Sequence, residues 1–92
     1  MNGILAQVSL YPLGQETLSQ VIDDALRIFQ AHGLEVTPGS MSTLLTGEEE
    51  IVFSALQAAF RRATEQGRVV MVTTLSNACP LPANEESKIA FN

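Results

Sequence analysis

Two stretches of this chain repeat apolar residues at the three- and four-residue steps of a helix, and each is bracketed by stretches that alternate with period two. That succession limits the fold more than any single motif. In the first helical stretch Leu18, Val21, Ile22, Ala25, Leu26 and Phe29 fall on one face; in the second Val52, Ala55, Leu56, Ala59, Phe60 and Ala63 do so. Strand-like segments occupy residues 4–11, 34–37, 40–46 and 69–75, the last rich in β-branched residues. The order is strand, helix, strand, strand, helix, strand, two βαβ units in succession. This is the α+β, ferredoxin-like βαββαβ sandwich. Right-handed crossovers put the first and third strands in the middle of a four-stranded antiparallel sheet of order 4-1-3-2, with both helices on one face.

Local signals mark the boundaries. Pro12-Leu13-Gly14 is expected to stop the first strand, since proline lacks a ladder donor and glycine frees the turn. Thr17 with Gln20, and Thr46 with Glu49, have capping-box spacing and are expected to open the two helices. Gly33 and Gly67 supply helix stops, with His32 placed to meet the last carbonyls of the first helix. Pro38-Gly39 reads as a turn in which glycine takes a positive backbone angle. Glu48, Glu49 and Glu50 at the start of the second helix, and Arg61 and Arg62 towards its end, suit the helix dipole. After Ser76 the pattern changes. Cys79-Pro80-Leu81-Pro82 excludes helix, so residues 1–80 are assigned to the ferredoxin-like domain and 81–92 to a C-terminal tail. Ile89 and Phe91 in that tail are apolar residues available to dock on a neighbouring surface.

Composition narrows the functional classes. Ninety-two residues suffice for one two-layer core. Ten acids against five scattered bases give a net charge of −5, which argues against a nucleic-acid binder. No apolar run is long enough for a bilayer, and Met1-Asn2-Gly3 has no basic leader pattern, so the expected location is cytoplasmic, away from membranes. Cys79 and His32 are each the sole residue of their type, which leaves no metal-ligand cluster, no internal disulfide and no serine–histidine–aspartate set. The acidic triplet fans around its helix, and adjacent Asp23 and Asp24 cannot face each other as an acid–base pair. Cys79, the single plausible nucleophile, precedes a proline and has no nearby base in sequence. No enzymatic activity, cofactor or metal is expected.

The first strand has two unlike faces. Ile4, Ala6, Val8 and Leu10 point one way; Leu5, Gln7, Ser9 and Tyr11 point the other. Antiparallel pairing with the third strand brings Ser9 and Tyr11 towards Met41, Ser42 and Thr43, so that hydroxyls, an amide and a phenol gather in one region. Such groups recognise a flat polar heterocycle, each satisfied hydrogen bond contributing on the order of 1 kcal/mol. The uncovered sheet face, with Leu5, Leu44 or Leu45, and Val70 or Met71, is unusually apolar for a monomer and points to at least a homodimer. Two readings follow: a small-molecule binding protein, or a homo-oligomeric interaction or regulatory module whose polar residues serve only its interface.

The segments Ala6-Gln7-Val8-Ser9-Leu10-Tyr11-Pro12-Leu13-Gly14, Val21-Ile22-Asp23-Asp24-Ala25-Leu26, Gly33-Leu34-Glu35-Val36 and Pro38-Gly39-Ser40-Met41-Ser42-Thr43 resemble the YkoF-like thiamine-binding proteins. Val52-Phe53-Ser54-Ala55-Leu56 and residues 69–75 continue the likeness, which runs in order to about Pro80. The resemblance implies non-catalytic binding of thiamine or its hydroxymethylpyrimidine moiety, a link to thiamine uptake or salvage, and assembly into dimers or tetramers through the sheets. Carried over position by position, it makes Gln7, Ser9, Tyr11, Ser42 and Thr43 candidate ligand contacts, Met41 a candidate wall, and Asn77 a polar residue that joins the site only from a partner chain or a second region.

Overall fold

The computed structural model describes residues 3–14 and 18–78. It forms β1 (Gly3–Leu13), α1 (Leu18–Ala31), β2 (Glu35–Pro38), β3 (Thr43–Glu48), α2 (Glu49–Thr64) and β4 (Arg68–Ser76). The sheet order is β2-β3-β1-β4, the expected 4-1-3-2 read from the other edge, and every neighbouring pair is antiparallel. Thr17, Cys79 and the 81–92 tail lie outside the described residues.

The alternation of β1 builds the core. Ile4, Ala6 and Val8 are buried against Ala25 and Phe29 of α1 and Val52, Ala55, Leu56 and Ala59 of α2, with Leu10 packed at the margin. Leu45 completes this layer from β3, and burying a side chain of its size contributes roughly 1.5–3 kcal/mol. Register resolves the two open choices on the other face. Gln7 pairs with Leu44 and Tyr11 with Val70, so Leu44 and Val70 lie on the open side, while Leu45 and Met71 pack with the core.

Several boundaries differ from expectation. β1 passes through Pro12 to Leu13, which pairs with Arg68. Pairing with β3 ends at Val8 opposite Thr43, so beyond that point β1 is an edge on its β3 side, where proline is tolerated. β3 begins at Thr43 because the Gly39 N–H donates to the Ser42 carbonyl at 2.8 Å and closes a turn first. Thr46 is a strand residue, paired with Leu5 and Glu35, and does not cap α2. The N-cap is Glu48, in an extended conformation and without a side-chain cap bond; Glu49 and Glu50 in the first turn and Arg61 and Arg62 in the last face the dipole as expected.

At the end of α1, Gly33 adopts a φ of 79°, and the His32 Nδ1–H donates to the Ile28 carbonyl at 2.8 Å. The histidine is therefore a helix-end group. Gly39 has no positive φ; its need for glycine is spatial, because a Cβ there would stand 2.8 Å from the Ser42 carbonyl oxygen. Among the described residues, no helix is long and apolar enough to cross a membrane.

The two helices are tied by Asp24, a buried carboxylate that the sequence pattern gave no reason to separate from Asp23. Arg27 and Arg62 pair with it, Arg62 Nε at 3.2 Å, and Gln66 Nε2 donates to it at 3.1 Å. Desolvation would raise its pKa, but the Arg27 hydrogen bond, the Arg62 charge and the Gln66 hydrogen bond together hold it below the ordinary carboxylate value. Arg62 is raised in turn, by its hydrogen bond to Glu65 and by the Asp24 charge.

Candidate functional site

The end of the β1–β3 seam opens a small cavity of about 90 Å³ beneath α1. Its floor is Val8, Ser9 and Leu10 of β1, its wall Ile22, Ala25, Leu26 and Phe29 of α1, and its rim the segment Gly39 to Thr43. The rim is fastened to the strand by two side chains. Gln7 Nε2 donates to Ser42 Oγ at 3.1 Å, and Ser9 Oγ–H donates to the Met41 carbonyl at 3.3 Å. Together with the turn bond from Gly39 to Ser42, these contacts hold residues 39–42 against the end of β1.

Four of the residues singled out from sequence line this cavity: Ser9, Met41, Ser42 and Thr43. Gln7 supports it through Ser42 rather than lining it. Thr43 pairs with Val8 and so lies on the helix-covered side, opposite to the face of Gln7 and Tyr11. The expected gathering of hydroxyls, amide and phenol in one region is divided in the structure, with Ser9, Ser42 and Thr43 at the cavity and Tyr11 apart from it, since neighbouring strand residues point to opposite sides. Tyr11 pairs with Val70 on the open face, half-exposed and outside the cavity lining. Met41 lines the cavity from its rim but is 82% exposed, so it borders the opening without closing it. Asn77 stands at the other end of the sheet, where it lines a separate hollow with Ile4, Glu49, Phe53, Leu75 and Ser76.

The wall residues of α1, Ile22, Ala25, Leu26 and Phe29, carry no site signal in sequence, where they read only as a core stripe. None of the side chains lining the cavity is titratable. What they offer is apolar contact, one aromatic ring and four hydroxyls, suited to holding an uncharged ring by shape and hydrogen bonds and ill suited to moving protons. Among the described residues, no group of three histidine, cysteine, aspartate or glutamate side chains is placed to hold a metal.

Fold and cavity together define a ferredoxin-like sandwich carrying a small, uncharged hollow at the end of its central seam. The sequence pattern of the YKOF-related family matches residues 4–82, and the chain belongs to that family. Its relatives include YkoF of Bacillus subtilis (strain 168), a candidate HMP/thiamine-binding protein, 32% identical over 81 residues that make up 87% of this chain and 40% of the relative. UPF0045 protein MJ1052 of Methanocaldococcus jannaschii is 30% identical over 60 residues, 64% of this chain and 60% of that one. The chain thus spans less than two thirds of either curated relative. The crystal structure of MJ1052 superimposes with a TM-score of 0.83 at 25% identity, covering 97% of this chain and 94% of the other. A candidate thiamine biosynthesis/salvage protein of Thermotoga maritima shares the fold, with a TM-score of 0.75 at 19% identity over 96% of each chain.

Proposed function

We propose that this chain is a non-catalytic, cytoplasmic binding protein for thiamine or its hydroxymethylpyrimidine moiety, serving thiamine uptake or salvage. The observation that carries this reading is the hydroxyl-rimmed cavity under α1, with no titratable side chain in its lining. Its 90 Å³ is well below the roughly 300–1,000 Å³ of a pocket that encloses a drug-sized ligand. It therefore suits one ring, the aminopyrimidine, with the remainder of thiamine extending past Met41. Ser9, Ser42 and Thr43 are the proposed hydrogen-bonding groups, Gln7 orients Ser42, and Phe29 and Leu26 supply apolar contact. The name of the Bacillus relative supports the choice of ligand. Tyr11 and Asn77 enter only as groups that a second copy would bring near.

Calorimetric titration with thiamine, thiamine diphosphate and hydroxymethylpyrimidine tests this directly. Saturable heat with thiamine or the pyrimidine, weakened at least several-fold by the double change Ser42→Ala, Thr43→Ala, is the expected result. No heat and no thermal shift with any of the three would sink the reading. A second reading is favoured by a different observation: Tyr11, Leu13, Leu44, Val70 and Val72 are all exposed large apolar groups of β1, β3 and β4. By register they share the open sheet face, which suits an interface between copies of the chain. We propose a homodimer or homotetramer assembled there. If assembly occurs without ligand binding, the chain is an interaction module instead.

A further inference from the structure

Pairing between β2 and β3 ends with Pro38 opposite Thr43, which leaves Gly39 to Ser42 as a hairpin tip with no ladder partner. Gly39, Ser40 and Met41 are exposed. The bond of 2.8 Å from the Gly39 N–H to the Ser42 carbonyl gives the tip its own shape. Among the described residues, two side-chain bonds from β1 tie it to the rest of the fold. Gln7 Nε2 donates to Ser42 Oγ at 3.1 Å, and the Ser9 hydroxyl donates to the Met41 carbonyl at 3.3 Å. Both are exposed bonds between neutral groups, the kind that adds little net stability. The tip lines the cavity together with Ile22, Ala25, Leu26 and Phe29 of α1.

We propose that this tip is a strap over the cavity, latched by Gln7 and Ser9, and that a ligand enters when both latches part. The cavity of about 90 Å³ equals the liquid volume of about three waters, each taking roughly 30 Å³. An aminopyrimidine with its methyl and hydroxymethyl groups needs more room than that, so one border of the cavity must yield. The α1 border is anchored by Ala25 and Phe29, both buried in the core. The β1 border, Val8 to Leu10, is paired along its length with β4. The tip is held by two weak bonds, and it swings as a unit because its internal bond stays intact when they break. Gln7 is thus a positioning residue that governs access through Ser42 without lining the cavity. The identity of the ligand rests on the function proposed above; the strap does not.

Opening is read without any ligand by a thiol in the cavity wall, Ala25→Cys in a Cys79→Ser background of the full chain, labelled with a maleimide. With both latches present, labelling is slow and its rate is unchanged by low urea, the mark of local opening. Gln7→Thr is too short to reach Ser42 and suits a strand; it raises the rate roughly three- to tenfold, the population change that goes with one lost hydrogen bond. Ser9→Ala does the same, and the double change raises the rate further. Thr74→Ala, opposite Gln7 on the β4 side of β1, leaves the rate unchanged. Far-ultraviolet circular dichroism stays native throughout. Equal rates with and without the latches overturn the proposal, as does a rate that climbs with urea from the start, which marks access by global unfolding. Labelling of the latched protein as fast as that of a free thiol overturns it as well. Should Ala25→Cys fail to fold, Leu26→Cys at the half-buried neighbouring wall position replaces it, with the same outcomes. Slower labelling in the presence of hydroxymethylpyrimidine supports the strap as the entrance for that ligand. Latch-dependent labelling that neither hydroxymethylpyrimidine nor thiamine slows supports the strap and counts against the ligand assignment, so the two fail separately.

Discussion

Adding one methyl group at Gly39 tests whether the rim of the cavity is as tightly held as its contacts indicate. In Gly39→Ala the new Cβ would stand 2.8 Å from the Ser42 carbonyl oxygen, a backbone atom that cannot rotate away. That oxygen also accepts the Gly39 N–H at 2.8 Å, so moving it lengthens the bond that closes the turn. Overpacking of this kind costs about 1–3 kcal/mol, and a weakened hydrogen bond adds roughly 0.5–1.5 kcal/mol. Against this, alanine restricts the unfolded chain and returns about 0.4–1 kcal/mol, available because Gly39 has no positive φ. The net expectation is a loss of about 2 kcal/mol, which in a domain of this size lowers Tm by roughly 10 °C. Ser42 also accepts from Gln7 at 3.1 Å, so its displacement loosens the rim and weakens any ligand held there. Urea unfolding followed by circular dichroism is the suitable assay, since the chain has one tyrosine and no tryptophan. A Gly39→Ala protein as stable as the parent, with unchanged ligand heat, would refute the argument by showing that the Ser42 segment yields freely.

Asp24 gives a pH dependence with a definite sign. Its folded-state pKa is depressed, so its contribution to stability is present above the ordinary carboxylate pKa of about 4 and is lost as the pH falls through the lower folded value. Unfolding midpoints measured from pH 7 to pH 3 should therefore show Asp24→Asn less stable than the parent at neutral pH, with the gap narrowing in acid; a gap that stays constant or widens would contradict the Arg27–Asp24–Arg62 arrangement. For the proposed assembly through the open face, Val72→Lys places a charge on a residue that is 51% exposed in the isolated chain. Sedimentation velocity should then show a smaller species than the parent at equal concentration, and an unchanged mass would remove that face from the interface.

The parts of this fold that could be read in sequence are those where neighbouring residues differ in kind. Ile4 to Leu10 alternates cleanly, so both faces of β1 follow from period two, and the burial of Ile4, Ala6 and Val8 agrees. Leu44-Leu45 and Val70-Met71 carry no such contrast, and only the pairing of Gln7 with Leu44 and of Tyr11 with Val70 assigns them. Thr46 and Glu49 match a capping box as well as any sequence can, yet Thr46 is drawn into a ladder between Leu5 and Glu35, and two strand neighbours outweigh one cap. Asp24 had no distinguishing signal, because Arg27 lies four residues from Asp23 and three from Asp24 and pairing is open to both, and Arg62 and Gln66 reach Asp24 only after the helices dock.

The cavity follows the same logic at a larger scale. Ser42 and Thr43 look like one hydroxyl pair when read along the chain, but pleating sends adjacent strand side chains to opposite faces. Such a pair can serve a single site only where the sheet ends and both faces are reached at once. β1 supplies that place by outrunning β3: its pairing stops at Val8 opposite Thr43, while the strand continues to Leu13 along β4. Ser9, the first residue past the seam, can therefore donate to Met41 from the open side and still line a cavity under α1. The strand that carries the polar residues thus also creates the opening they border, and the length by which it exceeds its neighbour sets where a ligand could enter.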